Sequence, residues 1–94
     1  MEIAGIVVPR KIADKIQSQH QVTPDEVGEV FANQPRFYFA ESGHVAGEDL
    51  YRALGQTDAG RYLVVFFVYK RTRQALVITA REMERKERRQ YAKK

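Results

Sequence analysis

RYLVVFFVYK, residues 61–70, is an unbroken run of eight apolar or aromatic side chains with a cation at each end. It is β-branched and aromatic, and much shorter than the ~20 apolar residues a membrane helix needs, so it reads as a strand buried on both faces. A strand covered above and below lies inside a sheet, with helices packed on it. The rest of the chain is read outward from that requirement.

On either side, DLYRALGQT (49–57) and QALVITA (74–80) are candidate strands, joined to the central one by TDAG (57–60) and RTR (71–73). RFYFA (36–40) precedes them as a further strand, and ESGHVAGED (41–49) is a loop of turn formers and acids. Before Pro35 the apolar period is helical. Thr23, Pro24 and Glu26 form a capping box with proline at the first helical position, and Val27, Val30 and Phe31 make an i, i+3, i+4 stripe. A helix is therefore expected over 24–33. Ile12 and Ile16 place another over 9–18, and EIAGIVV (2–8) reads as a first strand. REMERKERRQYAKK (81–94) reads as a closing helix. The order β-α-α-β-β-β-β-α predicts an α+β fold: an antiparallel β-sheet with two N-terminal helices and a C-terminal helix packed on it, all in one domain over 1–94. A chain of this length buries only roughly 60–65% of its unfolded surface, and a homodimer or hetero-oligomer would relieve its thin core.

Composition narrows the chemistry. The chain has no cysteine and two histidines, which excludes a disulfide framework and makes a structural zinc site improbable. There is no Gly-rich phosphate loop, no HExxH and no nucleophile elbow. The apolar start has no basic segment ahead of it, so a cytoplasmic protein that neither enters nor crosses a membrane is expected, without cofactor or metal. The formal charge of +4 is unevenly spread: residues 70–94 carry ten Lys and Arg against three Glu, a net +7, and residues 1–69 carry a net −3. A basic end on an acidic body favours a polyanion or an acidic partner there.

The side chains left for catalysis are His, Arg, Lys, Glu and Tyr. One reaction suits them: cleavage of RNA at its own 2′-hydroxyl, where the substrate supplies the nucleophile. On a helical wheel Arg81, Arg85, Arg88 and Ala92 form one ridge. Met83, Glu87, Gln90 and Tyr91 form another, and Met83 would draw Glu87 toward the sheet. A carboxylate there needs a cation, and Arg52, Arg61 and Arg81 are the candidates. In the alternative account, Glu82–Lys86 and Glu84–Arg88 are i, i+4 pairs on a solvated helix. Arg61 follows a turn glycine at the start of the central strand and could aim a guanidinium at phosphate. His20, near the end of the first helix, is a candidate general acid or base. His44, in a Gly-bounded loop, reads as a solvated surface residue. Tyr38, Tyr51, Phe66 and Phe67 read as core.

These residues resemble the BrnT family of bacterial type II toxins. The matching features are Gly47-Glu48, Tyr51 with Ala53-Leu54-Gly55, Gly60-Arg61 with Leu63-Val64-Val65, Ile78-Thr79-Ala80-Arg81, and Glu87-Arg88-Arg89 with Tyr91. Upstream, His20 followed by Val22 to Val27 and by Val30-Phe31 resembles the family's His-Gly-Val motif and second helix, although Gln19 and Gln21 flank the histidine here and the chain has no tryptophan. The resemblance implies a RelE-like fold and a metal-independent endoribonuclease that inhibits translation and is neutralised by a BrnA-like antitoxin. It implies His20, Arg61, Arg81 and Glu87 as catalytic residues, with Arg85, Arg88 and Tyr91 binding RNA. A catalytically degenerate partner- or RNA-binding protein of the same fold stays open as the alternative.

Overall fold

The computed structural model of the chain describes residues 1–93. Its elements are β1 (Gly5–Val7), α1 (Arg10–His20), α2 (Pro24–Ala32), β2 (Arg36–Glu41), β3 (Leu50–Gln56), β4 (Tyr62–Tyr69), β5 (Gln74–Glu82) and α3 (Arg85–Ala92). This is the expected order of an α+β fold. The five strands form one sheet in the order β1-β5-β4-β3-β2, with β4 at its centre as the apolar run requires.

β2 to β5 form an antiparallel meander. β1 differs from the expected strand: it has three residues and runs parallel to β5, with Gly5 opposite Gln74 and Val7 opposite Leu76. The sheet is therefore mixed. A meander that begins at β2 leaves the outer edge of β5 open, and side-chain alternation carries no information on the direction in which a short strand joins an edge.

The helices form where their local chemistry directs. In α2 the Thr23 hydroxyl accepts from the Glu26 N–H at 3.1 Å, and the Glu26 carboxylate accepts from the Thr23 N–H at 3.0 Å. α1 is longer than expected. Pro9 stands just outside it as N-cap, and the helix runs to His20, where Gln21 closes it in the left-handed region with φ 52°.

Both helices bury one stripe on the same face of the sheet. Ile16, Val22, Val27 and Val30 pack on Ala53, Leu63, Val65, Phe67 and Val77, with Ile12 and Phe31 at the margin. Phe31, Phe37 and Phe67 meet edge to face or tilted there, with centroids as close as 5.3 Å. On the opposite face α3 covers a smaller cluster of Leu54, Val64 and Met83, flanked by Tyr38, Tyr62, Phe66 and Tyr91. β4 is thus covered on both sides. Of the four aromatics read as core, Phe67 is fully buried, and Tyr38, Tyr51 and Phe66 are partly so.

The closing helix begins later than expected. Arg81 and Glu82 continue β5, opposite Val64 and Leu63, and the Met83 N–H donates to the Tyr62 carbonyl at 3.0 Å. The ladder outcompetes the helix because these hydrogen bonds extend a sheet already formed, whereas a helix must nucleate anew. The expected end of that helix, Lys94, lies outside the described residues.

Candidate functional site

The late start of α3 takes Arg81 off the helical ridge and sets it on a strand. Arg81 faces α3, and Glu87 in the first turn of α3 turns back to meet it. The Arg81 Nη1 and Nη2 atoms donate to the two Glu87 oxygens at 2.8 and 2.9 Å, a bidentate clasp. The Glu84 N–H donates to the same carboxylate at 2.8 Å, closing the first turn of α3. Arg52, on β3, adds a cation 3.9 Å away. Glu87 is only 7% exposed. Burial pushes its carboxyl up, but the Arg81 and Glu84 hydrogen bonds and the charges of Arg81 and Arg52 prevail and hold it below the usual 4.5. The same bonds raise the Arg81 guanidinium against its own burial. Glu87 is therefore an ionised carboxylate with both oxygens engaged, suited to orient Arg81.

Arg61 is placed by the turn before β4. Gly60 adopts φ 93°, open to glycine, and the Thr57 hydroxyl accepts from the Arg61 N–H at 3.0 Å. Its guanidinium does not reach Glu87. Nη1 donates to the Gln21 carbonyl and to Glu26 at 2.8 Å each, and Nη2 to Glu82 at 3.1 Å. Arg61 thereby ties the end of α1, the start of α2 and the end of β5 together. Glu82 is committed to this contact and Glu84 to the cap of α3, so neither i, i+4 pair expected of a solvated helix forms.

His20 ends α1, half-buried, one residue from the carbonyl that Arg61 holds. Arg61 meets Glu82, and the neighbouring Arg81 meets Glu87, so all four residues implied as catalytic gather at one end of the sheet. They approach from opposite faces: α1 and α2 pack on one, α3 on the other.

The three residues implied as RNA-binding lie on α3. Arg85 is exposed. Arg88 lays its guanidinium over the Tyr62 ring at 4.1 Å, and Tyr91 meets the same ring edge to face at 6.0 Å. Tyr91 is thus part of the packing beneath α3. His44 is exposed in the loop between β2 and β3.

Arg52, which the sequence offers only as one candidate partner for Glu87, has a larger place here. It sits in the packed stretch of β3 between Leu50 and Leu54, on the face covered by α3. It stacks over Tyr38 at 5.4 Å and donates to Gln90 at 3.3 Å. The signal in the sequence is a charged residue at an inward position of an apolar strand. Among the described residues no three His, Cys, Asp or Glu side chains cluster as a metal site would require. Among the described residues no helix is long and apolar enough to cross a membrane.

Comparison with curated proteins finds no match. The family model described as the ribonuclease toxin, BrnT, of type II toxin–antitoxin systems matches residues 10–87, which spans α1 to the Glu87 clasp. The match covers most of the chain, and the chain therefore belongs to the BrnT family of type II ribonuclease toxins.

Proposed function

We propose that the protein is a metal-independent endoribonuclease that cuts RNA through its 2′-hydroxyl, stops translation in the cytoplasm and is held in check by a BrnA-like antitoxin. The observation that supports this most is the gathering of His20, Arg61, Arg81 and Glu87 at one sheet end in a member of a ribonuclease toxin family. In the reaction, the 2′-oxygen bonds to the adjacent phosphorus as its proton leaves, and the bond to the 5′-oxygen breaks. The products are a 2′,3′-cyclic phosphate and a 5′-hydroxyl. His20 takes the 2′-hydroxyl proton and returns a proton to the leaving 5′-oxygen, Arg81 stabilises charge on the phosphate, and Glu87 fixes the orientation of Arg81. Arg61 holds the sheet end around them.

The test is digestion of RNA by purified protein in EDTA, with the product termini identified, beside growth arrest on expression. Cyclic phosphate ends from wild type, absent in Arg81→Ala, are the expected result. Cleavage and arrest that survive both Arg81→Ala and Glu87→Ala would overturn the assignment.

A second reading, a binding protein of the same fold without catalysis, is favoured by one observation. Both oxygens of Glu87 and both terminal nitrogens of Arg61 are bonded within the protein, so among the described residues three of the four are engaged with one another or with Glu26 and Glu82. Wild-type protein that binds its antitoxin but leaves RNA intact selects this reading.

A further inference from the structure

α3 has two basic flanks, and they differ in what stands behind them. Arg85 and Arg88 share one with Met83 and Ala92, and Arg89, on the crest of the helix, borders both flanks. There the Arg88 guanidinium is laid flat on Tyr62. The other flank borders an open cleft lined by four cations, Arg52, Lys86, Arg89 and Lys93, with Gln90 and two carboxylates, the exposed Glu84 and the Arg81-bound Glu87. Lys86 and Arg89, three apart on α3, form a stripe along the helix, and Lys93 follows at its extended C-cap. Among the described residues the side chains of these three make no ion pair and no hydrogen bond.

Arg52 lies at the base of that stripe and is built in. Its side chain is 21% exposed, with a face on Tyr38 and one N–H bonded to Gln90. A guanidinium has five donors, and the nearest carboxylate, Glu87, already has both oxygens taken by Arg81. Among the described residues Arg52 thus keeps unspent donors, at the floor of a cleft where Lys86, Arg89 and Lys93 outnumber the exposed Glu84.

We propose that this cleft, with Arg52 as its anchor and Lys86 and Arg89 as its rim, is where the protein takes the phosphate backbone of single-stranded RNA, in place of the outer Arg85–Arg88 flank that the family resemblance implies. The inference rests on the ribonuclease reading for the choice of polyanion. Strand-borne Arg52 fixes one phosphate and the helix stripe guides the next, along a wall formed by Glu87, which holds Arg81. Arg52 is a binding residue in this account, not a catalytic one.

The test separates binding from cleavage by using a fluorescent single-stranded RNA methylated at every 2′-oxygen, which cannot be cut through that group. Anisotropy titrations over a range of salt compare wild type with Arg52→Gln, Arg89→Gln and Arg85→Gln. Lys11→Gln, on α1 and the opposite face, is the charge-matched control. A variant that neutralises one phosphate fewer should have a salt slope smaller by about 0.7, equivalent to about fivefold weaker binding at 0.1 M salt relative to 1 M. Arg52→Gln and Arg89→Gln should each show this, and Arg85→Gln and Lys11→Gln should match wild type. Arg52→Lys should retain most of the slope.

Wild-type protein that fails to bind the oligonucleotide, or a larger effect in Arg85→Gln than in Arg52→Gln, would overturn the cleft. If Arg52→Gln does not fold, Lys86→Gln and Arg89→Gln, both at exposed positions, carry the comparison. Binding that depends on Arg52 in a protein that leaves unmodified RNA intact would sink catalysis and support the cleft. Cleavage by a protein whose cleft variants bind normally would do the reverse.

Discussion

Replacing Glu87 by Gln isolates what the carboxylate contributes at the sheet end. Gln keeps the size of the side chain and can still accept at the third position of the α3 capping box. What disappears is the charge facing Arg81, at 2.8 and 2.9 Å, and Arg52, at 3.9 Å. Hydrogen bonds to a charged group contribute about 1.5–3 kcal/mol, against about 1 kcal/mol for a neutral pair. A buried charge stripped of its partner can cost about 3–5 kcal/mol, but the Arg81 side chain is 28% exposed and water recovers part of that. The expected loss is about 2 kcal/mol. For a domain of this size that is a fall in Tm of roughly 8–16 °C.

The effect has a pH signature. The folded-state pKa of Glu87 is held below its ordinary 4.5, so its stabilisation is complete above that value and is lost as pH falls through the folded pKa. Thermal melts followed by circular dichroism should show a wide gap between wild type and Glu87→Gln at pH 7 that narrows below pH 4.5. A change under about 2 °C at pH 7, or a gap that stays constant down to acid, would refute the clasp as a stabilising element.

Arg61→Gln cuts ties to the Gln21 carbonyl, Glu26 and Glu82 and should lower stability by about 1.5–3 kcal/mol. Faster amide exchange in the first turn of α2 would accompany it, and normal melting without RNA cleavage would instead place Arg61 on the phosphate. Thr23→Ala removes one half of the α2 capping box and should cost about 1 kcal/mol, read as a Tm lower by about 4–8 °C with cleavage retained. Gly55→Ala would set a Cβ 3.1 Å from Val30 Cγ1 and 3.3 Å from the Val30 carbonyl oxygen, forcing α2 away from β3. A loss of about 1–3 kcal/mol in urea denaturation is expected, and wild-type stability would show that α2 yields freely.

The elements legible in the sequence were those whose cause is local. The eight-residue apolar run could only be an inner strand, because no surface position tolerates it. Thr23, Pro24 and Glu26 carry the whole chemistry of a helix start within four residues. Glu87 does face the body and meet a cation as expected, but Met83 lies ahead of α3, so its place comes from the first turn of the helix and not from helical spacing to Met83. Tertiary structure decided matters that depend on competition between distant segments. Arg81 and Glu82 have helical neighbours in sequence, but Val64 and Leu63 offered them ladder partners, and that pairing moved the start of α3. The choice among Arg52, Arg61 and Arg81 for Glu87 followed from the same step. Arg81 ends a strand facing α3, whereas Arg61, on the opposite face, found Glu26 and Glu82 nearer. The parallel pairing of β1 and the basic cleft around Arg52 belong to the same class. Each is made by segments more than thirty residues apart, and no period or cap along the chain records which of them will meet.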